Sequence, residues 1–227
     1  MNDVKNRISA TVMEYIAVLR GKTRGGSSAT ELPQEPREGA RRISSSNLVD
    51  VFIAEAAKIN TRTYVTDKAS WQDVLIEILG KNGIKSLLLA PLGDDLLSNE
   101  NEAELHRRVA EHGIEICIGT EDETLFRVDA ALTGVMAAIA EFGSLVCASS
   151  SREARGFSLI PPTHIAFVPA SRIVPDLCDL FDDDLANQLP AGMSLITGPS
   201  KTADIEGVLV NGVHGPKTVH AICVRDA

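Results

Sequence analysis

From Asn47 to Ile118 the chain alternates strand-like and helix-like text, and that alternation constrains the fold more than any other feature. Leu48, Val51 and Phe52 open a helical pattern that reaches about Asn60, and Thr63-Tyr64-Val65 follows as a short strand. Ser70 and Asp73 have the spacing of a capping box. Trp71, Val74, Leu75, Ile78 and Leu79 then make an i, i+3, i+4, i+7, i+8 stripe, which Gly83 ends. Ser86–Ala90 reads as an apolar strand closed by Pro91. Residues 99–112 read as a helix with a Glu104–Arg108 pair and Gly113 as its terminator, and Ile114–Ile118 as another strand. This rhythm predicts an α/β fold, a mostly parallel sheet flanked by helices. Parallel strands are covered on both faces, which accounts for the unbroken Leu87-Leu88-Leu89 run.

The flanking text is of other kinds. Val4, Ile8, Val12, Tyr15 and Leu19 share one helical face, so residues 1–20 are expected to hold an amphipathic helix that docks on the body or on a second subunit, making a homo-oligomer one alternative. Residues 21–46 are rich in Gly, Ser, Pro, Arg and Glu and read as a linker or arm before an α/β domain spanning 47–227. Gly21-Lys22-Thr23 resembles the tail of a phosphate-binding loop, but Ile16 stands where that loop needs glycine. Beyond Ile118 the strand-like segments lie near 129–136, 144–148, 164–168, 194–198 and 218–224, and a helix is expected over 175–189. Loops carry most of the remaining information, and α/β proteins place their sites on loops.

Charge and cysteines exclude several functions. Thirty-one acidic against twenty-two basic residues leave a net charge of −9 in 227 residues, the wrong sign for a generic nucleic-acid binder. No apolar run approaches the ~18 residues of a membrane span, and the first residues lack the apolar core of a secretory signal, so a cytoplasmic protein is expected. Cys117, Cys147, Cys178 and Cys223 are scattered without a CxxC, so neither a metal site nor an iron–sulfur cluster is expected on this chain.

Four loop clusters carry candidate chemistry. In Thr197-Gly198-Pro199-Ser200-Lys201-Thr202-Ala203-Asp204-Ile205-Glu206 a strand runs into Gly-Pro and then into hydroxyls, an ammonium and two acids. Such text suits an anion cradle in which Gly198, Ser200, Lys201 and Thr202 contact the anion and Asp204 or Glu206 orients the lysine or moves a proton. It also suits a tight turn and helix start with Thr202 as cap, the commoner case for such spacing. In Asn211-Gly212-Val213-His214-Gly215-Pro216-Lys217, His214 offers an imidazole for proton transfer and Gly215 lets backbone approach a ligand; a hairpin loop is the alternative. A metal held by His214, His220 and Cys223 matches no common spacing. From Thr133-Gly134 to Phe142-Gly143-Ser144 small residues dominate, and Glu141 is the lone charge of an apolar stretch: a buried carboxylate, or a surface one at an element's end. In Arg152–His164 two arginines precede Pro161-Pro162-Thr163-His164, either an anion contact or a solvated loop before a strand.

These clusters, in this order, resemble the LUD domain family, in particular its lactate-utilisation protein C (YkgG) type, over roughly residues 45–225. The matching text is Leu132-Thr133-Gly134, Ala140–Val146, Ser158–Ile165, Ile173-Val174-Pro175, Thr197–Glu206 and Gly212–Lys217. Phe142 and Lys201 stand where the family often has Thr and Arg. The resemblance implies a fold like that of the NagB/RpiA/CoA-transferase group. It also implies a part in oxidising L-lactate to pyruvate beside two iron–sulfur partner proteins, which would then hold the redox centres that this chain has no motif for. On that basis Glu141, His214 and Asp204 are the catalytic candidates. Thr133, Gly134, His164, Gly198, Ser200, Lys201, Thr202, Glu206, Gly215 and Lys217 are the ligand-binding ones, for a small carboxylate such as lactate or another anion. They are expected in one pocket at the C-terminal ends of the strands. Two other readings stay open. One is a stand-alone CoA-transferase-like or folate cyclo-ligase-like enzyme in which Glu141, followed by Phe142-Gly143, acts as a carboxylate nucleophile. The other is a non-catalytic scaffold.

Overall fold

The run Leu87-Leu88-Leu89 lies in an inner strand of a parallel sheet, as its apolar character requires. The computed structural model describes residues 47–90, 99–119, 122–150, 154–181, 190–203, 209–212 and 214–225. The N-terminal helix and the linker expected over 1–46 lie outside the described residues, as does the end of the helix expected over 175–189.

The main sheet contains β1 (Thr61–Asp67), β2 (Ser86–Leu89), β3 (Glu115–Cys117), β4 (Ala130–Gly134), β7 (Thr163–Pro169) and β12 (Thr218–Arg225), in the order β1-β12-β7-β4-β2-β3 with every pairing parallel. A second sheet has the order β8-β5-β6-β9, made of β5 (Ala137–Ile139), β6 (Ser144–Ser149), β8 (Ile173–Val174) and β9 (Gly192–Ile196); β6 runs antiparallel to both neighbours. β10 (Lys201–Ala203) and β11 (Leu209–Asn211) form an antiparallel ribbon.

Period-2 alternation sorts the strand residues onto two faces. On one face Leu87, Leu132, Ile165, Phe167, Ile222 and Val224 pack under α2 (Trp71–Lys81) and α3 (Asn99–Glu111). The predicted stripe of α2 is the buried one, and Trp71 meets Phe167 edge-on at 4.9 Å. On the other face Ala166, Val168, Val219, Ala221 and Cys223 pack against α1 (Leu48–Lys58) and the second sheet, through Phe52, Ala138, Ala140 and Leu145. Farther along that face, Leu88 and Ala131 meet Leu125 of α4 (Asp122–Arg127) and Phe157 of α5 (Gly156–Leu159).

Local details depart from expectation. Ser70 makes no side-chain capping bond; Asp67 Oδ1 instead accepts the N–H groups of Ala69 (2.9 Å) and Ser70 (2.8 Å), since the turn out of β1 brings that carboxylate to the helix start first. Glu104 pairs with Arg107 rather than Arg108, and Arg108 reaches across to Asp73, tying α3 to α2. The strand expected over 129–136 stops at Gly134, and the alanine text beyond it forms β5, which nothing in its intrinsic preference signals. Of the helix expected from 175, the described part is α6 (Leu177–Leu180). Lys201–Ala203 is a strand, not a helix start capped by Thr202, and the loop after β11 joins two different sheets rather than closing a hairpin.

Candidate functional site at the strand N-termini

Two glycines fix where the candidate loops go. Gly143 has φ +62°, and a Cβ there would lie 2.7 Å from the Glu55 carbonyl carbon and closer still to the Ala56 backbone. Gly198 has φ +86°, and its Cβ would strike the Ile59 carbonyl oxygen. Both loops are therefore seated on the C-terminal turn of α1, at backbone separations that only glycine allows. Between them Ser144 Oγ and Thr197 Oγ1 share a hydrogen bond of 2.9 Å, joining two clusters far apart in the sequence.

The other two clusters arrive at the same place. The Ser200 N–H donates to the Pro216 carbonyl (2.9 Å) and the Gly212 N–H donates to the Ser200 carbonyl (2.8 Å). Gly215 is crowded by Ser200, whose Cβ would stand 2.9 Å from an added Cβ, and by the Leu159 carbonyl oxygen at 3.5 Å. The N–H groups of Lys217 and Thr218 both donate to Pro162 (2.8 and 3.3 Å), where β7 and β12 begin. The loops thus gather at the N-terminal edge of the main sheet, not at the C-terminal ends where they were expected. The cause is the second sheet: β9 ends beside Ile59, just before β1 starts, so the text that follows it is delivered to that edge.

The candidates differ in accessibility. Lys201, His214 and Lys217 are exposed, and Glu141 and Ser200 are half-buried. The Glu141 N–H donates to the Pro175 carbonyl at 3.0 Å. Gly134 closes β4 opposite Phe167, and Thr202 sits on β10 opposite Val210. Asp204 and Glu206 lie outside the described residues. Gly198 and Gly215 have internal packing reasons that need no ligand.

Thr133 and His164 are brought into direct contact: Thr133 Oγ1 lies 2.9 Å from His164 Nε2, both fully buried. Burial, with the neighbouring His220 as a lesser cause, pushes the His164 imidazole down to about 4. His220 is also buried; Tyr64 stacks on it with its hydroxyl 3.2 Å from Nδ1, and burial followed by the Arg62 charge lowers it to about 4 as well. In the sequence His220 stands out only as a metal ligand beside His214 and Cys223. The structure places it on the sheet face bearing α2, while Cys223 is on the opposite face. The contact of Tyr64 with His220 and the burial of Thr61 carry no sequence signal, because strand residues at a sheet edge look the same in sequence whether or not they enclose a polar group.

Fold and edge together define an α/β protein whose distinctive text is folded into loops over the strand N-termini, beside a buried Thr–His pair. The LUD domain family model matches residues 49–224, and the chain belongs to that family. It is 30% identical to Lactate utilization protein C of Bacillus licheniformis, covering 94% of this chain and 95% of the relative. It is also 30% identical to the protein of that name from Bacillus subtilis, again over 94% and 95%. A crystal structure of a DUF162 family protein from Deinococcus radiodurans shares the fold at 21% identity, with a TM-score of 0.57 over 80% of this chain and 99% of that one. Among the described residues no helix is long and apolar enough to cross a membrane.

Proposed function

We propose that this chain is a component of an L-lactate utilisation system, working with iron–sulfur partner proteins and binding a small carboxylate at the loops over the strand N-termini. The observation that carries the reading is the full-length match to Lactate utilization protein C, over 94% of this chain and 95% of each relative. Converting lactate to pyruvate releases two electrons and two protons, and an electron carrier must accept them. The four cysteines are scattered and no GxGxxG is present, so the carriers are assigned to the partners. Lys201 and Lys217, both exposed, supply cationic contacts for a carboxylate, and His214 offers a proton-transfer group at the same edge. The acyl-transferase alternative drew on Glu141-Phe142-Gly143, but Gly143 is accounted for by its packing on α1, which removes part of the basis for that alternative.

The test is to purify the chain and assay it alone and then with its iron–sulfur partners. The reading expects a colourless protein that does not oxidise lactate by itself and lactate-dependent reduction of an electron acceptor only in the mixture. A stoichiometric flavin or iron–sulfur absorption band on the isolated chain would overturn it.

A further inference from the structure

Three buried side-chain atoms have no hydrogen-bond partner among the described residues: Thr61 Oγ1, His164 Nδ1 and His220 Nε2. Native proteins rarely leave such groups unpaired, so each asks for a reason. His220 stands on the face covered by α2. Thr61 and His164 share the opposite face: both are in register with Val219, which packs in the layer between the main sheet and α1. The row Thr61–Val219–His164 lies at the start of its strands, under the edge where the Gly198–Ser200 and Gly215–Lys217 loops gather.

Thr133 Oγ1 stands 2.9 Å from His164 Nε2, and with the hydroxyl as donor its buried hydrogen is placed on an acceptor. That bond leaves the proton of the neutral ring on Nδ1, as a donor. A neutral, buried donor suits an uncharged oxygen; a carboxylate carried to the same depth would pay the desolvation cost of a charge. The exposed Lys201 and Lys217 lie instead at the rim.

We propose that His164 Nδ1–H donates to the 2-oxygen of a small 2-hydroxy or 2-oxo carboxylate whose charged end remains at the lysine-bearing rim. This rests on the proposed role in lactate use and adds what that role leaves open, namely how a 2-hydroxy acid is told from a plain one. Sites that hydrogen-bond a substrate hydroxyl reject analogues lacking it, because a buried group is then left unpaired.

The experiment compares binding of L-lactate, pyruvate and propionate to the full chain by calorimetry, with the imidazole 15N signals of labelled histidine followed by NMR. Lactate and pyruvate are expected to bind about tenfold or more tighter than propionate and to shift the His164 Nδ1 signal. Thr133→Val keeps the ring but releases its tautomer, and should narrow the gap between lactate and propionate; His164→Phe should abolish the gap. Equal binding of lactate and propionate, no shift at His164 on lactate binding, or no binding of any of the three at millimolar concentration would each overturn the proposal. A role in lactate use would survive any of these, because it is judged by the assay with partners.

Discussion

Gly143→Ala tests the framework that carries the candidate loops. The new Cβ would stand 2.7 Å from the Glu55 carbonyl carbon and nearer to Ala56, all backbone atoms of α1 that no side-chain rotation can move aside. A φ of +62° costs an L-residue roughly 1–2 kcal/mol, and forcing a methyl into packed backbone adds about 1–3 kcal/mol. The sum, about 2–5 kcal/mol, is a large part of the ~5–15 kcal/mol by which domains are stable. At ~2–4 °C per kcal/mol for a chain of this size, the melting temperature should fall by about 4–20 °C. Gly80→Ala is the control. That glycine is exposed near the end of α2 with nothing within 4 Å of an added Cβ, and alanine there should raise stability by ~0.5–1 kcal/mol. Thermal unfolding followed by circular dichroism reads both. If Gly143→Ala melts with the wild type, the loop is not pinned to α1 and the account of the edge is wrong.

Other expectations follow from named contacts. His164 and His220 both titrate near 4 when folded and about 6.5 when unfolded, so the unfolded chain binds the extra protons. Their contribution to stability is therefore complete above pH 6.5 and is lost as pH falls toward 4, by up to ~1.4 kcal/mol per pH unit for each histidine. Melting temperatures across that window check it, and His220→Phe should make the slope shallower. Asp129→Ala should cost about 2 kcal/mol in urea unfolding, since Asp129 Oδ2 accepts the N–H groups of Lys85 (2.8 Å) and Ser86 (3.0 Å) and the Ser86 hydroxyl (3.1 Å) where β2 begins. Lys201→Ala should weaken binding of lactate, or of sulfate as its mimic, by about tenfold or more while leaving the circular dichroism spectrum unchanged, because the side chain is exposed.

The first half of the described chain was legible because its signals are local. The α2 stripe, the terminator Gly83 and the triple leucine each say what they do within a dozen residues. The second half was less so: β5 is alanine text made into a strand by its neighbours β6 and β8, and β10 is a strand because β11 lies beside it. The candidate loops were recognisable by their composition, but their edge was not. Placing them required knowing that β9 ends beside Ile59, a long-range fact. The Thr133–His164 bond and the Tyr64–His220 stack escaped for the same reason, since each joins different strands of one sheet.

The central claim, a part in lactate utilisation, is tested most directly by deleting the gene for this chain and growing the cells on L-lactate as the carbon source. The account predicts that growth on lactate is lost, that growth on pyruvate is kept, and that a plasmid copy of the intact chain restores lactate growth. Unchanged growth of the deletion strain on lactate, with no second copy of the gene present, would contradict it.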